Sequence, residues 1–312
     1  MSHEVSLPAP VEGVVDVTAY RAPGASRWLL VEVPHGATRK ADYDAVFAQL
    51  EGPFPEQLEH FFFVNTDVGA PEGANWLGRT LSARGVNVAV ARCLIPRTFI
   101  DTNRVVARTE AGVVKDGLTP AVASYVSSAR DVTWLTAQHQ RYHQVVDALY
   151  REVCRTAGGL ALQLHSYSPR SVGIERVDHG IVQALHAAYL PEVYATWPER
   201  PPIDLICETA DGTFKASPRL HDAFLAAYAE DGIAAKKNGT YHLHPVTMGY
   251  EYAAAFPDQV LCVELNRGLL CDPFVPFGVS PISEAKVERL VAPIARVLAA
   301  ALGASMPAMP KT

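Results

Sequence analysis

The stretch VEVPHGATR, residues 31–39, ends an apolar run on an imidazole. Val31 and Val33 are β-branched and suit extended backbone, and Pro34 and Gly36 interrupt the run on either side of His35. That is how a buried strand stops when it delivers one side chain to a surface cleft. Working outward, similar runs recur as VVDVTAY (14–20), WLLVEV (28–33), FFFVN (61–65), VNVAVARCLI (86–95), LALQLHS (160–166), IDLICE (203–208) and QVLCVEL (259–265). They are too apolar to leave one face in water, so the sheet they form must be covered on both sides. Between them, helical spacing is found at 42–51, 71–84, 131–156, 179–189, 217–230 and 283–302. In the long segment Leu135, Tyr142, Val146 and Leu149 share a face, and Gly158 and Gly159 stop it before the next strand, as in a βαβ crossover. Alternation of strand and helix predicts an α/β three-layer sandwich around a mixed, mainly parallel sheet.

The 312 residues are 49% hydrophobic and 19% charged, enough for a large core, and no boundary or internal repeat divides them. The expectation is one domain over 1–312 with a proline-rich tail at 304–312. Acids outnumber Lys plus Arg by 33 to 27 without long runs, so neither nucleic acid nor a membrane is an expected partner. The start MSHEVSLPAP has no basic and apolar leader, and no run is long enough to span a bilayer, which predicts a cytoplasmic protein. Five scattered cysteines in apolar surroundings read as reduced core residues. Residues 102–130 lack periodicity and are too long for an ordinary connection, which marks them as a functional or mobile loop.

In an open α/β sheet, ligands bind beyond the carboxyl ends of the strands. Polar residues at those ends form a short set: His35, Asp67, His165 with Ser166, and Glu264 with Asn266 and Arg267, while Glu72 opens the helix expected after Asp67. Two histidines and a carboxylate suit a catalytic zinc ion with one position left for water, and a glutamate remains as base. Each residue alone has a structural explanation, the histidines as hydrogen-bonded rim residues and Asp67 or Glu72 as helix-start acids. Strand alternation puts Cys262 and Glu264 on one face, and Asn266 and Arg267 show the chain leaving the core there. Arg97, Asn103 and Arg104 lie in IPRTFIDTNR with Asp101, a stretch able either to hold an anionic substrate or to form a solvated ion-pair cluster.

Two rival histidine pairs are weaker. HQRYH places His139 and His143 on one helical face, but Gln140 stands where a zinc helix of this spacing needs its catalytic Glu. YHLHP offers His242 and His244 on one strand face without a carboxylate beside them. There is no GxGxxG, P-loop or GxSxG motif, which removes the common nucleotide-binding and serine-hydrolase readings.

VPHGATR, NTDVGA, PRTFIDTNR, RYHQVVDALY, LQLHSYSPR and VELNR occur in an order and spacing that resembles the N-formylglutamate amidohydrolase family. That family is related in fold to the zinc carboxypeptidases and aspartoacylase. The resemblance runs from about residue 30 to 267, with PHG, DTNR and LHSYSP its most specific parts and 175–255 matching loosely. It implies a zinc carboxypeptidase-like fold, one zinc ion per chain, and hydrolysis of the amide of an N-acylated acidic amino acid such as N-formylglutamate. By the same resemblance His35 and His165 are zinc ligands, Glu264 is the general base, and Arg97, Asn103 and Arg104 hold the substrate carboxylate or the developing oxyanion; within that set Arg97 is the choice for the oxyanion, and Asn103 and Arg104 for the carboxylate. Two departures stand out. Thr38 follows His35 where His-x-x-Glu would supply the second ligand, so Asp67 is the choice and Glu72 its substitute. Val105 follows Asn103 and Arg104 where several family members have proline, which leaves the acyl group and the amino acid open. The alternatives are a deacylase or carboxypeptidase with another N-acyl or peptide substrate, and a metal-free carboxylate-binding protein on the same fold.

Overall fold

The computed structural model describes residues 5–108, 118–174 and 176–304. Most of the expected tail, and 109–117 of the expected loop, therefore lie outside the described residues. Among the described residues seven strands form one sheet: β1 (Val15–Tyr20), β2 (Trp28–Val33), β3 (Asn87–Cys93), β4 (Leu160–Tyr167), β5 (Ile203–Ile206), β6 (Ala235–Lys237) and β7 (Val260–Asn266). Their order is β1-β3-β2-β4-β7-β5-β6. The central run β3, β2, β4 and β7 is parallel, β1 is antiparallel to β3, and β5 is antiparallel to β7. Every residue of β2 is buried, as a strand covered on both faces requires.

Alternation along β2 sorts its residues into two layers. Leu29, Val31 and Val33 join Leu162, Leu164 and Val263 in a core sealed by helices α3 (Ala70–Ser82), α7 (Pro218–Glu230) and α9 (Glu284–Ala301). Leu30 joins Ala161 and Cys262 in the opposite core, sealed chiefly by α4 (Ala129–Tyr150) through Leu135, Tyr142, Val146 and Leu149. The expected three-layer α/β sandwich with a mixed sheet is the architecture found. Helix α4 starts on Ser128, whose side chain accepts from the Asp131 amide, and runs through a π-helical turn to Thr156 before Gly158 reverses it.

The expected strand 61–65 is instead the end of α2 (Leu58–Asn65). Its aromatic run suits a strand by composition, but the apolar residues cover a helical face. Leu58, Phe62 and Phe63 are buried there, with Phe62 against Tyr43 of α1 (Lys40–Phe47). The expected helix 179–189 is α5 (Ile181–Ala188). Composition also hid α6 (Pro191–Tyr194), α8 (Met248–Ala255) and the three-residue β6, all short and with little periodicity. YHLHP is not a strand, so His242 and His244 do not share a strand face.

Candidate active site

The site is assembled at the carboxyl end of the parallel strands. His35 follows β2 after Pro34, and His165 is the sixth residue of β4. Asp67 arrives from the other direction, two residues past α2, where its amide meets the His35 carbonyl and Thr66 Oγ1 donates to the Ala37 carbonyl at 2.8 Å. The chain can turn away directly afterwards because Gly69 has φ of 86° and packs its Cα against Leu270, where a Cβ would lie 2.7 Å from Cδ1. One oxygen, Asp67 Oδ2, is 3.3 Å from His35 Nδ1 and 2.9 Å from His165 Nδ1. Ligand atoms of the three residues all lie within 4.8 Å of one another, and all three side chains are buried. Glu72, the substitute for Asp67, is in the first turn of α3, exposed and outside this cluster.

A second layer fixes the rings. His35 Nε2 donates to Asp101 Oδ1 at 2.7 Å, and His165 Nε2 faces Gln163 Oε1 at 3.1 Å. The orientation of that amide is set by the fully buried Glu32, which accepts from Gln163 Nε2 at 3.1 Å and from the hydroxyls of Tyr142 and Tyr150 at 2.7 and 2.9 Å. Since Gln163 Nε2 points at a carboxylate, its oxygen is turned to His165, whose Nε2 then carries the proton. Gly249, at the start of α8, makes room for this amide, for a Cβ there would lie 2.7 Å from Gln163 Oε1. With both Nε2 atoms directed at acceptors, the two rings aim their Nδ1 atoms at one carboxylate oxygen. That arrangement is favourable only with a proton or a cation between them, so the donor set fits a divalent metal.

The electrostatics agree. Burial and Arg97 act to lower the His35 pKa, but Asp101 and Asp67 outweigh them and raise it. Burial alone would raise the Asp67 pKa, and the two imidazoles more than reverse this. Asp101 is held well below the usual carboxylate range despite burial, by Arg104, Arg97 and His35. Glu264, paired laterally with His165, is pushed up to about 7, chiefly by burial, and its Oε2 has no hydrogen-bond partner among the described residues. A carboxylate with that affinity for protons beside a candidate metal can both take and return one near neutral pH.

His35, His165 and Glu264 line a cleft of about 740 Å³ together with Arg97, Asn103 and Arg104. Arg97 Nη2 donates to Asp101 Oδ2 at 2.9 Å while the side chain stays partly open to the cleft. Asn103 Oδ1 accepts from the Gly249 amide, and Arg104 is buried with its Nε and Nη1 donating to the carbonyls of Thr119 and Asn103. His139 and His143 face this loop from α4, through Nε2 to the carbonyls of Arg104 and Thr102, so they fasten the segment that carries Asp101. Burial, then His139, pulls the His143 pKa down to about 3, as suits a neutral donor. All five cysteines are buried thiols.

No family model matches the sequence, and no curated protein does either. Solved structures do. N-formylglutamate amidohydrolase from Ralstonia eutropha superposes with a TM-score of 0.55, covering 90% of this chain and 96% of that one at 17% identity. The chain has that enzyme's fold. A gene product of Agrobacterium tumefaciens is similar to the same degree, with a TM-score of 0.56, 17% identity and coverage of 93% and 95%. A metallo-carboxypeptidase from Pseudomonas aeruginosa is far more remote, at a TM-score of 0.36 and 13% identity. The resemblance seen in the sequence motifs is thus matched by the architecture.

Sequence reading missed the groups behind the first ring of residues. Glu32 and Gln163 had a signal, as polar residues inside wholly apolar strands must find buried partners. Arg200, which also lines the cleft, had none: it sits in PERPPID, within the region that matches the family only loosely.

Proposed function

We propose that this chain is a metal-dependent hydrolase that cleaves the amide of an N-acylated, carboxylate-bearing amino acid, with N-formylglutamate as the leading substrate. The observation that carries the reading is the convergence of His35, Asp67 and His165, with ligand atoms within 4.8 Å, beside Glu264, whose Oε2 has no hydrogen-bond partner among the described residues, in a cleft edged by arginines. Two imidazole nitrogens and one carboxylate oxygen are the donor set of a catalytic zinc site. One zinc ion bound there would polarise the acyl carbonyl and make a neighbouring water acidic enough to ionise near neutral pH.

The chain's own residues do the rest. Asp101 and the Gln163 and Glu32 pair hold both imidazoles with Nδ1 toward the centre. Glu264 takes a proton from the attacking water and returns it to the leaving nitrogen, so that formate and the free amino acid result. Arg97, anchored at one end by Asp101, faces the cleft with charge available for the developing oxyanion. The cleft's apolar lining, including Phe61, Val64, Val172, Ile174 and Leu185, favours a second reading in which the acyl group is longer than formyl. Turnover of a series from N-formyl to N-hexanoyl glutamate, with and without chelator, tests both. Chelator-sensitive release of glutamate supports the hydrolase, and the chain length of the best substrate chooses the acyl group. Absence of turnover with every member in zinc-loaded protein would remove the proposed substrate class.

A further inference from the structure

We infer that Arg200 is the residue that reads the substrate's carboxylate, an inference that rests on the hydrolase reading above. Four other arginines of the cleft are engaged with carboxylates or backbone carbonyls. Arg104 donates to two backbone carbonyls and lies 3.5 Å from Asp101 Oδ2. Arg267 is buried, donating to the carbonyls of Val64 and Ser166. Arg170 donates to the Trp197 carbonyl and pairs with Glu199. Arg97 is committed at one nitrogen to Asp101.

Arg200 is different in kind. Its guanidinium lies over the rings of Tyr167 and Tyr241, 5.1 and 5.3 Å from their centroids. Nε donates to Ser171 Oγ at 3.0 Å and Nη2 to the Tyr241 hydroxyl at 2.9 Å. These partners are neutral, and among the described residues no carboxylate pairs with it. The backbone is equally fixed: its amide donates to the Pro169 carbonyl at 2.9 Å, and its carbonyl accepts from Asn266 Nδ2 at 3.2 Å. Arg200 is therefore tied to the ends of β4 and β7, next to His165 and Glu264, and its charge reaches the Glu264 carboxyl. A guanidinium fork clamped by aromatic rings, lining a cleft and lacking a counter-ion, is prepared for a planar anion of carboxylate geometry. The ring clamp also removes the side-chain ordering that such binding would otherwise require.

The test uses zinc-loaded protein, the variants Arg200→Met and Arg200→Lys, and three compounds: N-formylglutamate, its γ-amide and its α-amide. Arg200→Met should lower kcat/KM for N-formylglutamate by about tenfold to a thousandfold, mostly through KM, while one of the two amides loses less than about threefold. Arg200→Lys keeps the charge and a stem between the rings but not the fork. It should lose at least about tenfold on N-formylglutamate and guards against a methionine variant that fails to fold. Loss below about threefold on N-formylglutamate, or equal loss on all three compounds, overturns the assignment. If wild type hydrolyses none of them, the substrate reading fails, and glutarate titrated by calorimetry then judges Arg200 by itself. Weakening by tenfold or more in Arg200→Met keeps it as a carboxylate site, and unchanged affinity removes it.

Discussion

His165 and Glu264 are register partners on the neighbouring parallel strands β4 and β7, so a candidate metal ligand and a candidate base stand side by side on one face of the sheet. Adjacent strands are about 4.8 Å apart, which brings the carboxylate within reach of anything bound at the His165 ring. The ladder itself therefore sets the spacing between the two groups, and loop motion has little influence on it.

Glu264→Gln keeps the size of the side chain and removes its proton affinity. The variant should fold, retain metal and substrate affinity within a small factor, and lose about a hundredfold or more in kcat. Loss of metal instead would make Glu264 a ligand, a result read by elemental analysis without any activity assay.

The pH dependence has a definite sign. The Glu264 carboxyl is raised from 4.5 to about 7, so the folded metal-free protein holds that proton more tightly than the unfolded chain. Stability from this source is present below the unfolded value and is lost as pH rises through about 7. His35, whose pKa is also raised, acts in the same direction. The Tm of metal-free protein should fall between about pH 5 and 8, and Glu264→Gln should shrink that fall. An unchanged slope would mean that Glu264 is already ionised in the folded state.

Glu32 should act on the metal at a distance. Replacing one of its oxygens by a donor in Glu32→Gln frees the Gln163 amide to turn its nitrogen toward His165, which takes away the acceptor for the His165 Nε2 proton. Metal affinity should weaken by about tenfold to a hundredfold, and the His165 tautomer mixture, read from ¹⁵N shifts, should change with it. Affinity and tautomer both matching wild type would leave Glu32 as a core residue only.

Gly249→Ala tests the same amide by crowding. The added methyl would stand 2.7 Å from Gln163 Oε1 and 2.9 Å from Cys262 Sγ. The expected destabilisation is about 1–3 kcal/mol, accompanied by weaker metal binding. Stability loss without any change in metal affinity would separate the α8 contact from the site.

How much of this was legible in the sequence differs by residue. The layered sheet could be read because buried parallel strands leave long apolar runs, and His35, His165 and Glu264 stand out as polar residues where those runs stop. Asp67 reaches the site by a different local route from the strand end its sequence suggests. It follows a helix, not a strand, because FFFVN covers a helical face against Tyr43, and a short apolar run does not reveal its period. Glu72 could not be separated from Asp67 by spacing alone, since which acid turns inward depends on the bend at Gly69. Arg104 and Arg200 show the deeper limit. A guanidinium that donates to backbone carbonyls and one that donates to serine and tyrosine hydroxyls look alike in sequence, and only the tertiary contacts distinguish them.

The most direct measurement is zinc affinity and stoichiometry, by competition with a chromogenic chelator, for wild type, His165→Ala, Asp67→Ala and Glu72→Ala. One ion per wild-type chain is expected, with loss of binding in His165→Ala and Asp67→Ala and affinity within about threefold of wild type in Glu72→Ala. Wild-type binding in Asp67→Ala together with loss in Glu72→Ala would contradict this expectation, as would stoichiometric zinc in His165→Ala.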